Sequence, residues 1–446
     1  MDTELNKQRG FEMLPLLSEC HIRVLKVIPA SDATSIHCNL CQYNLEIFPE
    51  IVYYALSYRW GTAERAEDVR TIHIDGADFV VRKTVWEFLQ VMQAEREYNS
   101  FFIDAICIDQ TNLQEEGHQI RCMDKIYKHA TKVFIWLGMP ELEVQEELSA
   151  FGTKLDAFVE AQEQWKPNDF VIHDSIYRHL HDSIYGYWNY VLGGIWTEEA
   201  CKGFEFICSR PFWKRLWIVQ EVVLAESIVI YCGELSWKWE DIAKLKDWAG
   251  KDMYGFDKEV LEQLNRLDSH PSNRHPSKRL QRREQSHFAD WGYAAKIFDA
   301  KEQWMTLSNS DGISLYRAIS LFDDQDCGEP RDKLYALLGL LDEISIEPDY
   351  GLDILDVYKL ALRQGLDQLC WDIKQLPIRS LREFPTIAHP YFSRYCSKLL
   401  EVFQFSKSQL AKAEEIAQKQ LTEALREVRS EEDKDEEGIS SRWIYG

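Results

Sequence analysis

The sequence predicts an α/β fold, a mainly parallel sheet flanked by helices, with a helical insertion and a mostly helical C-terminal region. Three observations carry this. Short β-rich runs alternate with helical runs from Ile22 to Glu234. Residues 101–138 read strand, helix, strand, the unit of a parallel sheet. A helical stretch ending in "WIVQE" (217–221) then leads straight into the apolar run "SIVIYCG" (227–233).

In chain order, "HIRVLKVI" (21–28) and "VYYALSY" (52–58) are strands. "TIHIDG" (71–76) and "FVVR" (79–82) are two more, and Asp75-Gly76 between them favours a tight hairpin turn. Thr84 to Glu97 is a helix with Val85, Phe88, Leu89 and Met92 on one face. "FFIDAICI" (101–108) reads as a buried strand. The helix after it carries Ile120, Met123, Ile126 and Tyr127 at helical spacing and ends before the strand "KVFIWLG" (132–138). A helical insertion of about residues 141–205 precedes the "WIVQE" helix, and residues 239–268 are helical by pattern.

The rest changes character. Residues 269–287, "SHPSNRHPSKRLQRREQSH", are basic and poor in apolar residues, a linker or loop. Its cluster Lys278, Arg279, Arg282 and Arg283 reads either as a solvated linker or as a nuclear-import or phosphate-binding patch. Residues 288–400 form a helical accessory region. Within 401–446, apolar residues at 410, 413, 417, 421, 424, 425 and 428 make the stripe of an amphipathic helix, available for pairing with another chain. The tail "SEEDKDEEG", six acids to one base, is expected to be disordered.

Composition narrows the function classes. The net charge of −23, from 51 basic against 74 acidic residues, repels nucleic acid phosphates and anionic membranes, so no nucleic acid partner is expected. No apolar run is long enough for a membrane span, and the charged N-terminus "MDTELNKQRGFEMLPLL" lacks the apolar core of a signal peptide. The expectation is a cytoplasmic protein. Most of the eleven cysteines stand singly inside apolar runs, as buried thiols do, so no disulfide is expected. Cys38 and Cys41 form a lone CxxC inside a strand-like alternation, which favours a structural role over a zinc site.

In parallel α/β sheets ligands bind beyond the carboxyl ends of the strands. The residues there are Tyr58, Arg59, Trp60 and Gly61 after one strand, and Asp104, Cys107, Asp109 and Gln110 after another. Trp217 and Glu221, one helical turn apart, lie ahead of a third. Each group has a structural reading: Trp60-Gly61 as a turn and plug, Asp104 as a cap, Asp109 with Asn112 as caps of the next helix. Their convergence on one rim favours a site. A desolvated carboxylate beside an aromatic wall suits cleavage of a glycosidic bond, whose transition state is cationic. Where the leaving group is a cationic nicotinamide no general acid is needed, which points to NAD as substrate, with no cofactor and no metal required. The sequence contains no GxxxxGK[ST], GxGxxG, GxSxG or HExxH. Cys107 with His118 or His129 is a thiol-nucleophile alternative, set against a buried position inside "AICI".

The blocks "YYALSYRWG" (53–61), "FIDAICIDQTNLQEEGHQIRCMDKIYKHATKVFIWLG" (102–138) and "SRPFWKRLWIVQE" (209–221) together resemble the three signature blocks of the fungal heterokaryon incompatibility (HET) domain. "RDKLYALLGL" with "PDY" (348–350) resembles the segment that often follows. The resemblance implies a domain over residues 22–250 and a role in non-self recognition and programmed cell death, with self-association or another incompatibility protein as partner. HET domains are in turn similar to Toll/interleukin-1 receptor (TIR) domains, whose enzymatic members cleave NAD with the glutamate of a Trp-x-x-x-Glu motif. Trp217 to Glu221 fits that motif and its place between two strands. The resemblance therefore implies a TIR-like sheet with Glu221 catalytic, and with Trp217, Tyr58, Arg59, Trp60, Asp104 and Asp109 around the substrate. The alternative is a non-enzymatic signalling scaffold that self-assembles through the same domain.

Overall fold

The computed structural model describes Asn6 and residues 13–18, 20, 21–29, 35–46, 52–96, 99–164, 197–254, 292–306, 312–342, 346–374 and 384–442. The strands are β1 (His21–Ile28), β2 (His37–Asn44), β3 (Tyr54–Tyr58), β4 (Val69–Ile74), β5 (Ala77–Arg82), β6 (Ser100–Phe102), β7 (Lys132–Trp136), β8 (Ile228–Cys232) and β9 (Leu235–Lys238). Among the described residues they form one sheet in the order β5-β4-β2-β1-β6-β3-β7-β8-β9. The centre, β6-β3-β7-β8, is parallel. Antiparallel pairings join β1 to β2 and β6, β4 to β5, and β8 to β9. The β4–β5 turn is the expected one: Asp75 and Gly76 both adopt positive φ, 51° and 82°, as a two-residue hairpin requires.

The helices that matter below are α1 (Lys83–Ala94), α2 (Leu113–Arg121), α3 (Met123–His129), α4 (Gln145–Gln164), α5 (Glu198–Ser209), α6 (Ile218–Val223), α7 (Gly292–Thr306), α8 (Ile354–Lys374), α9 (Phe384–Val402) and α10 (Lys407–Arg442). Alternation along the strands divides the core into two layers. Leu56, Phe101, Phe134 and Trp136 pack with Val85, Phe88 and Leu89 of α1 on one face. Ala55, Phe102, Val133, Ile135 and Ile230 face the other layer. That layer continues through α3 and α6 into the apolar sides of α7 to α10.

One strand is shorter than the sequence suggests. The run 101–108 was expected as a strand, but β6 ends at Phe102 and Asp104–Cys107 form a single helical turn. Periodicity cannot separate a buried strand from a buried helical turn in so short an apolar run. The insertion contains α4 and α5, which lie against each other. A Cβ on Gly203 would stand 2.3 Å from the Glu147 carbonyl oxygen, so only glycine admits this approach. Residues 165–196 of the insertion and the basic stretch 269–287 lie outside the described residues.

The middle of the α10 stripe is covered by its own chain: Ala413, Ala417, Leu421 and Ala424 are buried in the layer that holds α8 and α9, while Leu410 is exposed. The backbone remains helical to Arg442, through the acidic segment expected to be disordered. None of the eleven cysteines, all of which are described, is joined in a disulfide. Among the described residues no helix is long and apolar enough to cross a membrane.

A buried ion pair fixes the chain beyond β6. Arg23 on β1 donates to both oxygens of Glu115 on α2, at 2.6 and 3.0 Å, and to the Cys107 carbonyl at 2.9 Å. The same carboxylate accepts the Asp109 backbone N–H at 2.8 Å. Removing one partner leaves an uncompensated charge away from water. Arg23→Met is expected to lower stability by about 3–5 kcal/mol in urea unfolding, and Arg23→Met with Glu115→Leu to recover most of that loss.

Candidate active site

The parallel strands end on one side of the sheet, and a cavity of about 880 Å³ opens there. Five of the seven residues singled out in the sequence line it: Arg59, Trp60, Asp104, Trp217 and Glu221. The alternation that buries Ala55 carries Ser57 to the same face of β3, where α6 lies. Glu221 is only 2% exposed and accepts a hydrogen bond from the Ser57 hydroxyl at 2.5 Å. It does not point into solvent.

Helix α6 is buried on every side, which is rare for a helix carrying a carboxylate. Trp217 stands at its N-cap, and the Glu221 amide reaches back to the Trp217 carbonyl at 3.4 Å. At the other end, the Lys301 ammonium of α7 donates to the carbonyls of Val222, at 3.2 Å, and Ala225, at 2.5 Å. A buried cation thus caps the helix where its unpaired carbonyls gather.

Burial pushes the Glu221 carboxyl up to about 7; the nearby Arg215 guanidinium opposes this, and the Asp104 charge adds to it. Burial likewise raises Asp104, again opposed by Arg215. The Asp104 carboxylate accepts the Trp60 indole N–H at 2.8 Å and the Ala105 amide at 2.7 Å. A third carboxylate, Asp332, accepts the Trp217 indole N–H at 3.0 Å and the Tyr350 hydroxyl at 2.6 Å. Burial brings Asp332 up to about 6. Arg215 itself donates to the Tyr58 carbonyl at the end of β3.

The other two expected residues lie elsewhere. Tyr58 is 1% exposed and belongs to the core layer under α1; its hydroxyl is buried beside Asp104 and pushed well up. Asp109 is engaged locally, its carboxylate accepting the Thr111 amide at 3.0 Å and hydroxyl at 2.7 Å, while Asn112 caps α2. Cys107 is fully buried and its thiol pushed up to about 12, which keeps it protonated and unreactive. Residues that sequence reasoning missed are Ser57, Arg215, Asp332 and Tyr350. Their only signal was the company they keep: Ser57 in "LSYRWG", Arg215 two residues before Trp217, and Asp332 and Tyr350 in "RDKLYALLGL" and "PDY".

Stability should report the strain on Glu221. Its folded value, about 7, lies above the ordinary 4.5 of an exposed glutamate, so the native state holds a proton that the unfolded chain releases. Stability from this group is therefore full below pH 4.5, falls as pH rises towards 7, and stays low above it, a loss of about 3 kcal/mol. Glu221→Gln removes the penalty. The variant is expected to unfold at a higher temperature than the parent at pH 8 and at nearly the same temperature at pH 4.5; a variant less stable at both would contradict the assignment.

Comparison with known proteins agrees with the signature blocks. Residues 53–221 match the family model described as Heterokaryon incompatibility protein (HET). A curated relative from Neurospora crassa, "Heterokaryon incompatibility protein 6, OR allele", is 28% identical over 230 residues, covering 48% of this chain and 33% of the relative. The chain thus aligns with about a third of the length of the curated relative it matches. No solved structure matches it. The matched stretch begins just before β3 and ends at Glu221, so most of the residues lining the cavity fall within the segment that matches the HET family model.

Proposed function

We propose that this chain is a heterokaryon incompatibility effector that acts by cleaving the nicotinamide–ribose bond of NAD, with Glu221 as the carboxylate opposite the developing oxocarbenium ion. The incompatibility role is supported by the HET match and by the name of the relative. The cleavage is supported most by one observation: a carboxylate 2% exposed to solvent lines a cavity of about 880 Å³ beside the indole of Trp217. That volume lies within the range of small-molecule sites.

Breaking the bond places positive charge on the ribosyl carbon, and a carboxylate in a dry, preorganised setting stabilises that charge far better than in water. Nicotinamide leaves neutral, so no proton is delivered to it. Glu221 acts ionised. Arg215 favours that state, and the cationic ring of NAD, once bound beside it, favours it further. Arg59 and Lys83, both exposed at the mouth, present cations to the pyrophosphate. Trp217 and Trp60 wall the cavity, and Asp104 faces the ribose. Death of the cell would follow from loss of its NAD, after self-association or engagement of another incompatibility protein.

Incubated with NAD, the wild-type protein is expected to release nicotinamide and ADP-ribose. Glu221→Gln is expected to lower the rate about 10²-fold or more. The value of kcat/KM should rise with pH through about 7, because only the ionised carboxylate of the free enzyme is active. A rate indifferent to Glu221→Gln would remove this residue from the mechanism, and toxicity without any fall in NAD would favour a scaffold.

A further inference from the structure

The cavity is built from two parts of the chain. Trp217 belongs to the stretch matched to the HET family, whereas Asp332, its partner 115 residues on, does not. Asp332 is 8% exposed and lines the cavity together with Tyr350. Its carboxylate holds one donor on each oxygen, the Trp217 indole on Oδ2 and the Tyr350 hydroxyl on Oδ1. These two bonds set the plane of the carboxylate.

A carboxylate offers about four acceptor sites. Among the described residues no third donor reaches Asp332, so one site on each oxygen is open, on a group that borders the cavity. The charged neighbours there are Glu116 and Glu329, the latter paired with Arg331 at 2.9 Å, and the Arg215 cation, which leaves acids in excess. A phosphate is repelled by that excess. A neutral group presenting two adjacent O–H donors meets both open sites, and the cis-diol of a ribose is such a group. The acceptor geometry is the one by which acidic residues take ribose hydroxyls in other dinucleotide sites.

We propose that Asp332 is a ribose-binding residue of this cavity, accepting a cis-diol on its two open acceptor sites. A segment beyond the HET match thereby completes the site. The inference rests on the NAD reading above. Tyr350 and Trp217 are positioning residues for the carboxylate, and a pyrophosphate lies away from it, towards Arg59 and Lys83.

The test uses the full chain carrying Glu221→Gln, so that NAD is bound without turnover, and reads Kd by calorimetry. Adding Asp332→Asn is expected to weaken NAD binding about tenfold to hundredfold, the effect of losing hydrogen bonds to a charged acceptor. Two altered ligands then distinguish the riboses: NAD lacking the 2′-hydroxyl on the nicotinamide side, and NADP, which carries phosphate on the adenosine side. The ligand altered at the ribose that Asp332 holds is expected to bind weakly to the parent, and to lose no more affinity when Asp332→Asn is added. Binding of NAD unchanged within about threefold by Asp332→Asn, in a protein whose wild type releases nicotinamide, overturns this inference alone. Equal further losses for both altered ligands overturn it too. A wild type that neither binds NAD nor releases nicotinamide overturns the NAD reading and this inference with it.

Discussion

The site depends on one cation, the guanidinium of Arg215, set where three carboxylates converge. Asp104, Glu221 and Asp332 are each raised by burial, and for each the charge of Arg215 is a lowering influence. Without it, acids so close together in a dry setting would hold their protons, and the cavity would lose its capacity to stabilise positive charge. The arginine is held in turn by the carbonyl of Tyr58 at the end of β3. Its backbone neighbours join the C-terminal region: the Leu216 amide donates to Asp326 at 2.8 Å, and Asp326 reaches back to Lys214 at 2.5 Å. The electrostatics of the cavity and the docking of the C-terminal helices are therefore one feature.

The sheet explains why the acid can be so deeply buried. Among the described residues α1 and the turn carrying Ile106 pack on one face of the sheet, and α3, α6 and α7 to α10 belong to the layer on the opposite face. There α6 is sealed between β3 and the helices α3 and α7, and Lys301 satisfies its last carbonyls from α7. A six-residue helix could not hold a carboxylate out of water unaided. The stretch matched to the HET family model, 53–221, contributes the buried carboxylate of Glu221, and the chain beyond it contributes one wall of the cavity.

Much of this was legible in the sequence where local patterns carry the information. Alternation marked β1, β3, β7 and β8, the Asp75-Gly76 pair marked the hairpin, and the spacing of Trp217 and Glu221 placed both on one turn ahead of β8. Patterns failed where burial is uniform, as in 101–108, whose apolar side chains suit a strand and a helical turn equally. The amphipathic stripe of α10 was read correctly as a stripe, but its partner proved to be α8 and α9 of the same chain. Asp109 and Tyr58 sat at strand ends as site residues do; a local turn claimed the first and the α1 layer the second.

The sequence by itself determined which residues stand at the carboxyl ends of the strands, because strand order along the chain and period-two alternation are local properties. It could not reveal that Asp332 meets Trp217 across 115 residues, that Ser57 donates to Glu221 across 164, or that Arg215 lies among the acids. Those pairings follow from how layers close over the sheet, which no periodicity encodes. Nor could it tell whether Glu221 faced water or a cavity. Tertiary structure decided that question by burying α6 on every side and setting Glu221 in the lining of the cavity at the end of the sheet.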